Sequence, residues 1–323
     1  MVTGAEADFA NLEPVTQQFV EQLAASGGFP LSLGSASSIR TALADLQSAP
    51  IGKPDACIED RIFPVGPEGG VHVRIVRPKI LAKITPIIMF FHGGGWVAGG
   101  VDTHDRLIRE IAVAAHAAVV FVAFGRAPEA RFPLALEEAY AATTFVVNHA
   151  DSLNFDGTRL AVVGDGAGGN IAAAVSIMSK ERRGPKIALQ VLFYPVTAAN
   201  FEAASYQVWR DGPWLTRQDM EWFWDAYLPS AGDRADVLAT PLSATNDQLR
   251  GLPDTLVITA EVDVLRDEGE AYARKLSEAY VRTTCTRYIG TIHDFVMLNA
   301  LADTPAARAA VEQAIVALRS ALA

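Results

Sequence analysis

The sequence predicts an α/β fold, with a mostly parallel central sheet, helices on both faces and a helical cap. Three observations carry that expectation. Short apolar runs rich in β-branched residues alternate with stretches of helical periodicity, which is the pattern of βα units. The runs are continuously apolar, as strands buried on both faces should be. The chain has 323 residues, 50% hydrophobic and 20% charged, enough to bury a sizeable core.

In chain order, Leu12, Val15, Phe19 and Leu23, then Ile39, Leu43 and Leu46, recur at helical spacing around a Gly-Gly-Phe-Pro break. From residue 57 the period changes, and residues 71–76 alternate like a strand after a Pro-Glu-Gly-Gly turn. Further strands are expected at 86–91, 118–124, 159–163, 187–194, 255–260 and 283–288. Helical patterns fill 104–116, 133–149, 168–182, 267–280 and 304–322. One stretch breaks the rhythm: about 60 residues separate the strand ending at Tyr194 from the next, far more than an ordinary connection. Trp209, Trp214, Trp222 and Trp224 fall inside it, beside Met220, Phe223 and Tyr227. The expected organisation is a cap made from residues 1–48 and an insertion at 196–235. The core is then 49–195 and 236–323.

Composition excludes several classes. Lys and Arg number 27 against 37 Asp and Glu, a net charge of −10, the opposite of a nucleic-acid or anionic-membrane footprint. The longest apolar run, 111–124, is interrupted by His116 and is too short to span a bilayer. The first residues carry neither a basic nor an apolar targeting region, and Cys57 and Cys285 lack a partner pattern. A cytoplasmic protein is the expectation. The six histidines show no metal-ligand spacing, so no metal is expected.

Chemistry is expected at three strand ends. Phe91-His92-Gly93-Gly94-Gly95-Trp96 follows a buried strand, and consecutive glycines leave main-chain N–H groups able to approach a developing oxyanion. Gly164-Asp165-Gly166-Ala167-Gly168-Gly169-Asn170 reads as strand, sharp turn and helix start. Asp263 follows the strand at 255–260, and His293 follows the last strand in Thr-Ile-His-Asp-Phe. Turn, acid and histidine in that order, each at a strand's C-terminal end, form the α/β-hydrolase arrangement.

On these residues, together with Arg126-Ala-Pro-Glu-Ala-Arg-Phe-Pro133, the sequence resembles the hormone-sensitive-lipase-like carboxylesterase family over nearly its whole length. The resemblance implies hydrolysis of short and medium acyl esters without a cofactor. It implies an oxyanion hole from the N–H groups of Gly94, Gly95 and Ala167, with His293 as base and Asp263 fixing its tautomer. A homodimer through the last strand or helix is common in the family. Trp96, Trp209, Trp214 and Phe124 are the expected pocket lining.

The chain departs from the family pattern in two places. The family's elbow serine is replaced by Gly166, so no acyl-enzyme can form there, and Asp165 is expected to point away. In comparable triads such a loss costs on the order of 10⁶-fold, leaving about 10³- to 10⁴-fold over water. Ala123-Phe124-Gly125 also stands where the family carries an acid and a phenol. Three readings of Gly166 follow. Gly164-x-Gly166-x-x-Gly169 has the form of a dinucleotide fingerprint, but it lies mid-chain and the next strand ends without an acid. An esterase scaffold without its nucleophile, either an active-site mutant or a ligand-binding pseudo-hydrolase, is the second. The third uses His293 as base and the hole as an enolate trap for elimination, aldol-type or conjugate-addition chemistry on another carbonyl substrate.

Among the remaining residues, His92 is expected to prop the glycine loop. His72, His104, His116 and His149 read as surface or helix-packing residues. Asp267 and Glu268 look like helix-start acids. Glu129 is expected to anchor its loop through a buried ion pair.

Overall fold

A computed structural model describes residues 12–28, 34–79 and 84–323. Residues 1–11 of the expected cap segment, and Phe29-Pro30 of its break, lie outside them. The elements in order are α1 (Pro14–Ala25), α2 (Ala36–Leu46), β1 (Ala56–Phe63), β2 (Val71–Pro78), β3 (Thr85–Phe91), α3 (Val101–Ala115), β4 (Ala118–Ala123), α4 (Leu134–Asn148), β5 (Phe155–Asp165) and α5 (Ala167–Glu181). They continue as β6 (Leu189–Phe193), α6 (Ala204–Val208), α7 (Arg217–Tyr227), α8 (Asn246–Leu249), β7 (Asp254–Val262), α9 (Arg266–Glu278), β8 (Thr283–Ile292) and α10 (Pro305–Ala321).

The strands form one eight-stranded sheet in the order β1-β2-β4-β3-β5-β6-β7-β8. The β1–β2 and β2–β4 pairs are antiparallel and the other five are parallel. Every residue of β3 and β6 is buried, which explains their unbroken apolar runs. β1 is the strand that periodicity misses. Only Phe63 of its eight residues is buried, so no apolar alternation marks it, and its pairing with β2 holds it in place.

α2 is tied to the sheet's C-terminal edge by polar side chains reaching main-chain groups. From α2, Arg40 Nε donates to Val97 O at 2.8 Å and Nη2 donates to Ala127 O at 2.9 Å. Arg40 also meets Glu129, but that carboxylate is 66% exposed, so the expected buried pair lies at the surface and contributes little. Just past α2, Gln47 Nε2 donates to Thr103 O at 2.8 Å and Met297 O at 3.0 Å, joining cap, α3 and the segment after β8. The insertion helix α7 starts with a reciprocal cap between Thr216 and Asp219. It buries Met220, Phe223, Trp224 and Tyr227.

α5 approaches the sheet closely because of its glycines. A β-carbon at Gly168 would collide with the main-chain carbonyl of Phe91 on β3, and one at Gly164 with that of Gly168. Main chain cannot rotate aside as a side chain can. Gly168→Ala is therefore expected to destabilise the protein by about 3 kcal/mol, whereas Gly52→Ala, at a position open to solvent, should fall within about 0.5 kcal/mol of the parent. Urea denaturation midpoints of the two variants check this.

Candidate active site

The site is assembled where β5 turns into α5. Gly166 has φ 51° and ψ −116°, a left-handed conformation that glycine adopts without steric cost. Its N–H donates to Phe193 O at 3.0 Å, and its carbonyl accepts from Val196 N at 3.1 Å and Asn170 N at 3.2 Å. A β-carbon built there would meet only the His293 ring, 3.2 Å from Nε2, and the Gly93 Cα. The turn therefore aims position 166 at the histidine.

The glycine loop after β3 lies against this turn. Gly94 and Gly95 have φ 104° and 61°, and Ala98 N closes the loop onto Gly94 O at 2.8 Å. Gly93 N donates to Asp165 Oδ1 at 3.0 Å, while Asp165 Oδ2 lies 3.2 Å from His104 Nε2, both side chains fully buried. Asp165 thus points away from position 166, as expected, and locks the loop from beneath. His104, by contrast, lies in the site's supporting layer. Nothing in its sequence spacing marks it, because the contact spans 61 residues.

His92 props the loop, with Nδ1 donating to Gly93 O at 2.8 Å and its ring stacked 4.3 Å from Phe124. Burial, reinforced by His104, pushes its pKa down to about 3, so the ring is neutral at ordinary pH.

His293 Nδ1 lies 2.8 Å from Asp263 Oδ2, and Asp263 Oδ1 accepts from Leu265 N at 2.9 Å. The loop after His293 is gripped by buried Arg106 of α3, whose Nη2 donates to Val296 O at 2.7 Å and Met297 O at 2.9 Å. A second acid, Asp294, was not singled out from sequence, although it directly follows His293. It has φ 65°, its Oδ2 accepts from Trp214 Nε1 at 3.0 Å, and its Oδ1 lies 3.5 Å from His293 Nε2. Burial opposes a charge on His293, but Asp263 and Asp294 outweigh it and raise its pKa to about 9. Burial raises the Asp294 carboxyl above the usual carboxylate range.

A narrow cavity of about 30 Å³ lies above these groups. Gly94, Gly95, Ala167, His293 and Asp294 line its polar side. Ile39 and Leu43 of α2 and Trp214, Leu215, Met220 and Phe223 of the insertion line its apolar roof. Of the expected lining residues, only Trp214 is among these. Trp96 is buried, stacked on Tyr227 at a 4.2 Å centroid distance. Trp209 packs against the core elsewhere, and Phe124 supports His92 and borders a separate arginine-lined groove. The aromatic count marked the insertion but not which rings face inward.

Among the described residues, no group of three or more His, Cys, Asp or Glu side chains could hold a metal ion, and no helix is long and apolar enough to cross a membrane.

A family profile described as alpha/beta hydrolase fold matches residues 88–297. The chain belongs to the α/β-hydrolase family. Carboxylesterase NlhH of Mycobacterium tuberculosis is 34% identical to this α/β-hydrolase over 319 residues, 97% of each chain. An ethyl acetate hydrolase of Pseudomonas putida is 35% identical over 254 residues, 77% of this chain and 78% of that protein. Among solved structures, a thermostable esterase from Pseudomonas putida ECU1011 superposes with a TM-score of 0.95 at 44% identity, covering 97% of this chain and 98% of that one. A fungal esterase from Rhizomucor miehei gives 0.89 at 40%, covering 96% and 97%. The α/β-hydrolase scaffold is that of a carboxylesterase.

The raised His293 pKa has a consequence for stability. Folded protein holds this proton more tightly than unfolded chain, so the stabilisation is complete below about pH 6.5 and is lost as pH rises through about 9. Unfolding free energy should fall across that window by up to roughly 3 kcal/mol. Urea denaturation at pH 6 and pH 9.5 checks it, and His293→Gln should flatten the slope.

Proposed function

We propose that this chain binds short- and medium-chain carboxylic esters in a carboxylesterase site whose acyl-enzyme route is closed because Gly166 holds the nucleophile position. The observation that carries the reading is the 3.2 Å from a β-carbon at 166 to His293 Nε2, with the left-handed turn retained. A hydroxyl attached there would reach the imidazole. The substrate class is supported by the apolar roof over a polar floor and by relatives named as carboxylesterase and ethyl acetate hydrolase.

In this reading the ester carbonyl oxygen accepts hydrogen bonds from the N–H groups of Gly94, Gly95 and Ala167, at the positive end of α5. The acyl chain lies against Leu215, Met220 and Phe223. Asp263 holds the tautomer and orientation of His293. With its pKa near 9, His293 is mostly imidazolium at neutral pH, which suits stabilisation of an oxyanion and donation to a leaving group.

Hydrolysis of p-nitrophenyl butyrate by this chain and by Gly166→Ser tests the proposal. The serine variant should gain at least about 10³-fold in kcat/KM and lose the gain on His293→Ala. It should also be less stable by about 1–3 kcal/mol, because serine at this φ and ψ is strained. A folded serine variant with no gain would overturn the reading.

A further inference from the structure

The groove beside Phe124 has a volume of about 580 Å³ and shares no lining residue with the cavity above His293. That volume is within the range of small-molecule sites, about 300–1,000 Å³. Two of its lining groups are short of partners. His92 is only 1% exposed, and because its Nδ1 donates to Gly93 O, the neutral ring presents a lone pair at Nε2. Nothing among the described residues donates to that atom, and it is not closed off from solvent.

Arg126 is the second group. Its Nη1 donates to Gly99 O at 2.9 Å, and no carboxylate among the described residues pairs with it. The other arginines of the groove are each paired: Arg40 with Glu129, Arg61 with Glu59 and Arg74 with Asp60. Arg126 is half-buried, and burial together with the neighbouring Arg40 charge presses its pKa down, as for a cation lacking a counter-ion. The two groups are close to one another. Gly99, whose carbonyl holds Arg126, lies against the His92 ring, where a β-carbon on it would stand 3.3 Å from Cε1, the atom bonded to Nε2. The Arg126 charge in turn opposes protonation of that ring.

We propose that this groove is a binding site for a small hydroxycarboxylate, whose carboxylate lies on the Arg126 guanidinium and whose hydroxyl donates to His92 Nε2. Each half of the ligand answers one unpartnered group. A fork of N–H donors suits a carboxylate, and a neutral imidazole lone pair needs a hydrogen-bond donor. The start of the 15-residue α3 lines the same groove and favours negative charge there. Val73, Ala123 and Phe124 supply apolar surface for the body of the ligand. Asp102, also in the lining, limits the charge: it tolerates a monoanion held at Arg126 and repels a phosphate dianion. The site does not depend on the ester-binding reading.

Isothermal titration calorimetry of the unaltered chain at neutral pH and low salt tests the assignment. The probes are 3-hydroxybenzoate against benzoate, 3-hydroxybutyrate against butyrate, 3-hydroxybenzyl alcohol, and inorganic phosphate. At least one hydroxy acid should bind about fivefold more tightly than its partner without the hydroxyl. The alcohol, which lacks the carboxylate, should bind at least about tenfold more weakly than 3-hydroxybenzoate, and phosphate should not compete. None of these comparisons requires a variant to fold. Arg126→Gln should then weaken the tighter acid at least about tenfold, with Arg126→Lys between the two because it keeps the charge without the fork. His92→Asn, which retains a donor for Gly93 O, should remove the preference for the hydroxyl while the acid still binds. Urea midpoints show that each variant is folded. Equal binding of the hydroxy acids and their partners would overturn the proposal, as would displacement by phosphate or no heat from any acid. Binding that survives in folded Arg126→Gln would place the acid elsewhere and overturn it as well.

Discussion

The close approach of α5 to the sheet is the constraint on which the rest of the site depends. Gly164 and Gly168 let the helix begin hard against the end of β3, where any β-carbon would meet main chain. Ala167 is then the first helical residue, and it lines the same cavity as Gly94 and Gly95 of the loop after β3. The two segments are held together by one buried side chain, Asp165, which receives Gly93 N and faces His104. The conformation at 166 is imposed from outside, since its N–H donates to Phe193 O and its carbonyl accepts from Val196 N and Asn170 N, on two successive peptides. The turn therefore persists whatever side chain stands on it.

Above this frame, protonation is set by where the acids lie. His92 and His293 are both buried at strand ends beside the same glycine loop, yet one is pushed down to about 3 and the other up to about 9. His92 is flanked by aromatic rings, a carbonyl and His104, so burial decides. His293 has Asp263 at one nitrogen and Asp294 near the other, and two opposite charges override the same burial. A buried imidazole held between two carboxylates results. Arg106, buried on α3, holds the His293 loop through the carbonyls of Val296 and Met297, its charge paired with Glu110.

Much of this was legible in the sequence where the signal is local. Continuous apolar runs gave β3 to β7 because strands covered on both faces need no polar alternation, while β1, exposed on most of its length, left no such mark. Gly-rich turns and strand-end acids located the loops of the site, since close approach and positive φ restrict residue type at single positions. What was not legible is long-range. Gln47 meets Met297 across 250 residues, His104 meets Asp165 across 61, and Trp214 meets Asp294 across 80. Choosing Trp214 over Trp209 or Trp96 as a pocket residue depends on which way α7 and its neighbours face, and that is fixed by packing onto the sheet rather than by spacing.

Glycine at 166 is, for the fold, the comfortable residue. A serine there would sit at φ 51° and ψ −116°, where every β-carbon is strained, and such strain survives only because surrounding hydrogen bonds over-determine the backbone. Glycine removes the strain without removing its cause. The site's remaining parts have structural reasons of their own: the glycines admit α5, Asp165 locks the loop, and Asp263 receives Leu265 N as well as facing His293. None of those reasons involves a nucleophile. The glycine packing, the Asp165 lock and the Asp263–His293 contact therefore hold one another in register whatever the residue at 166.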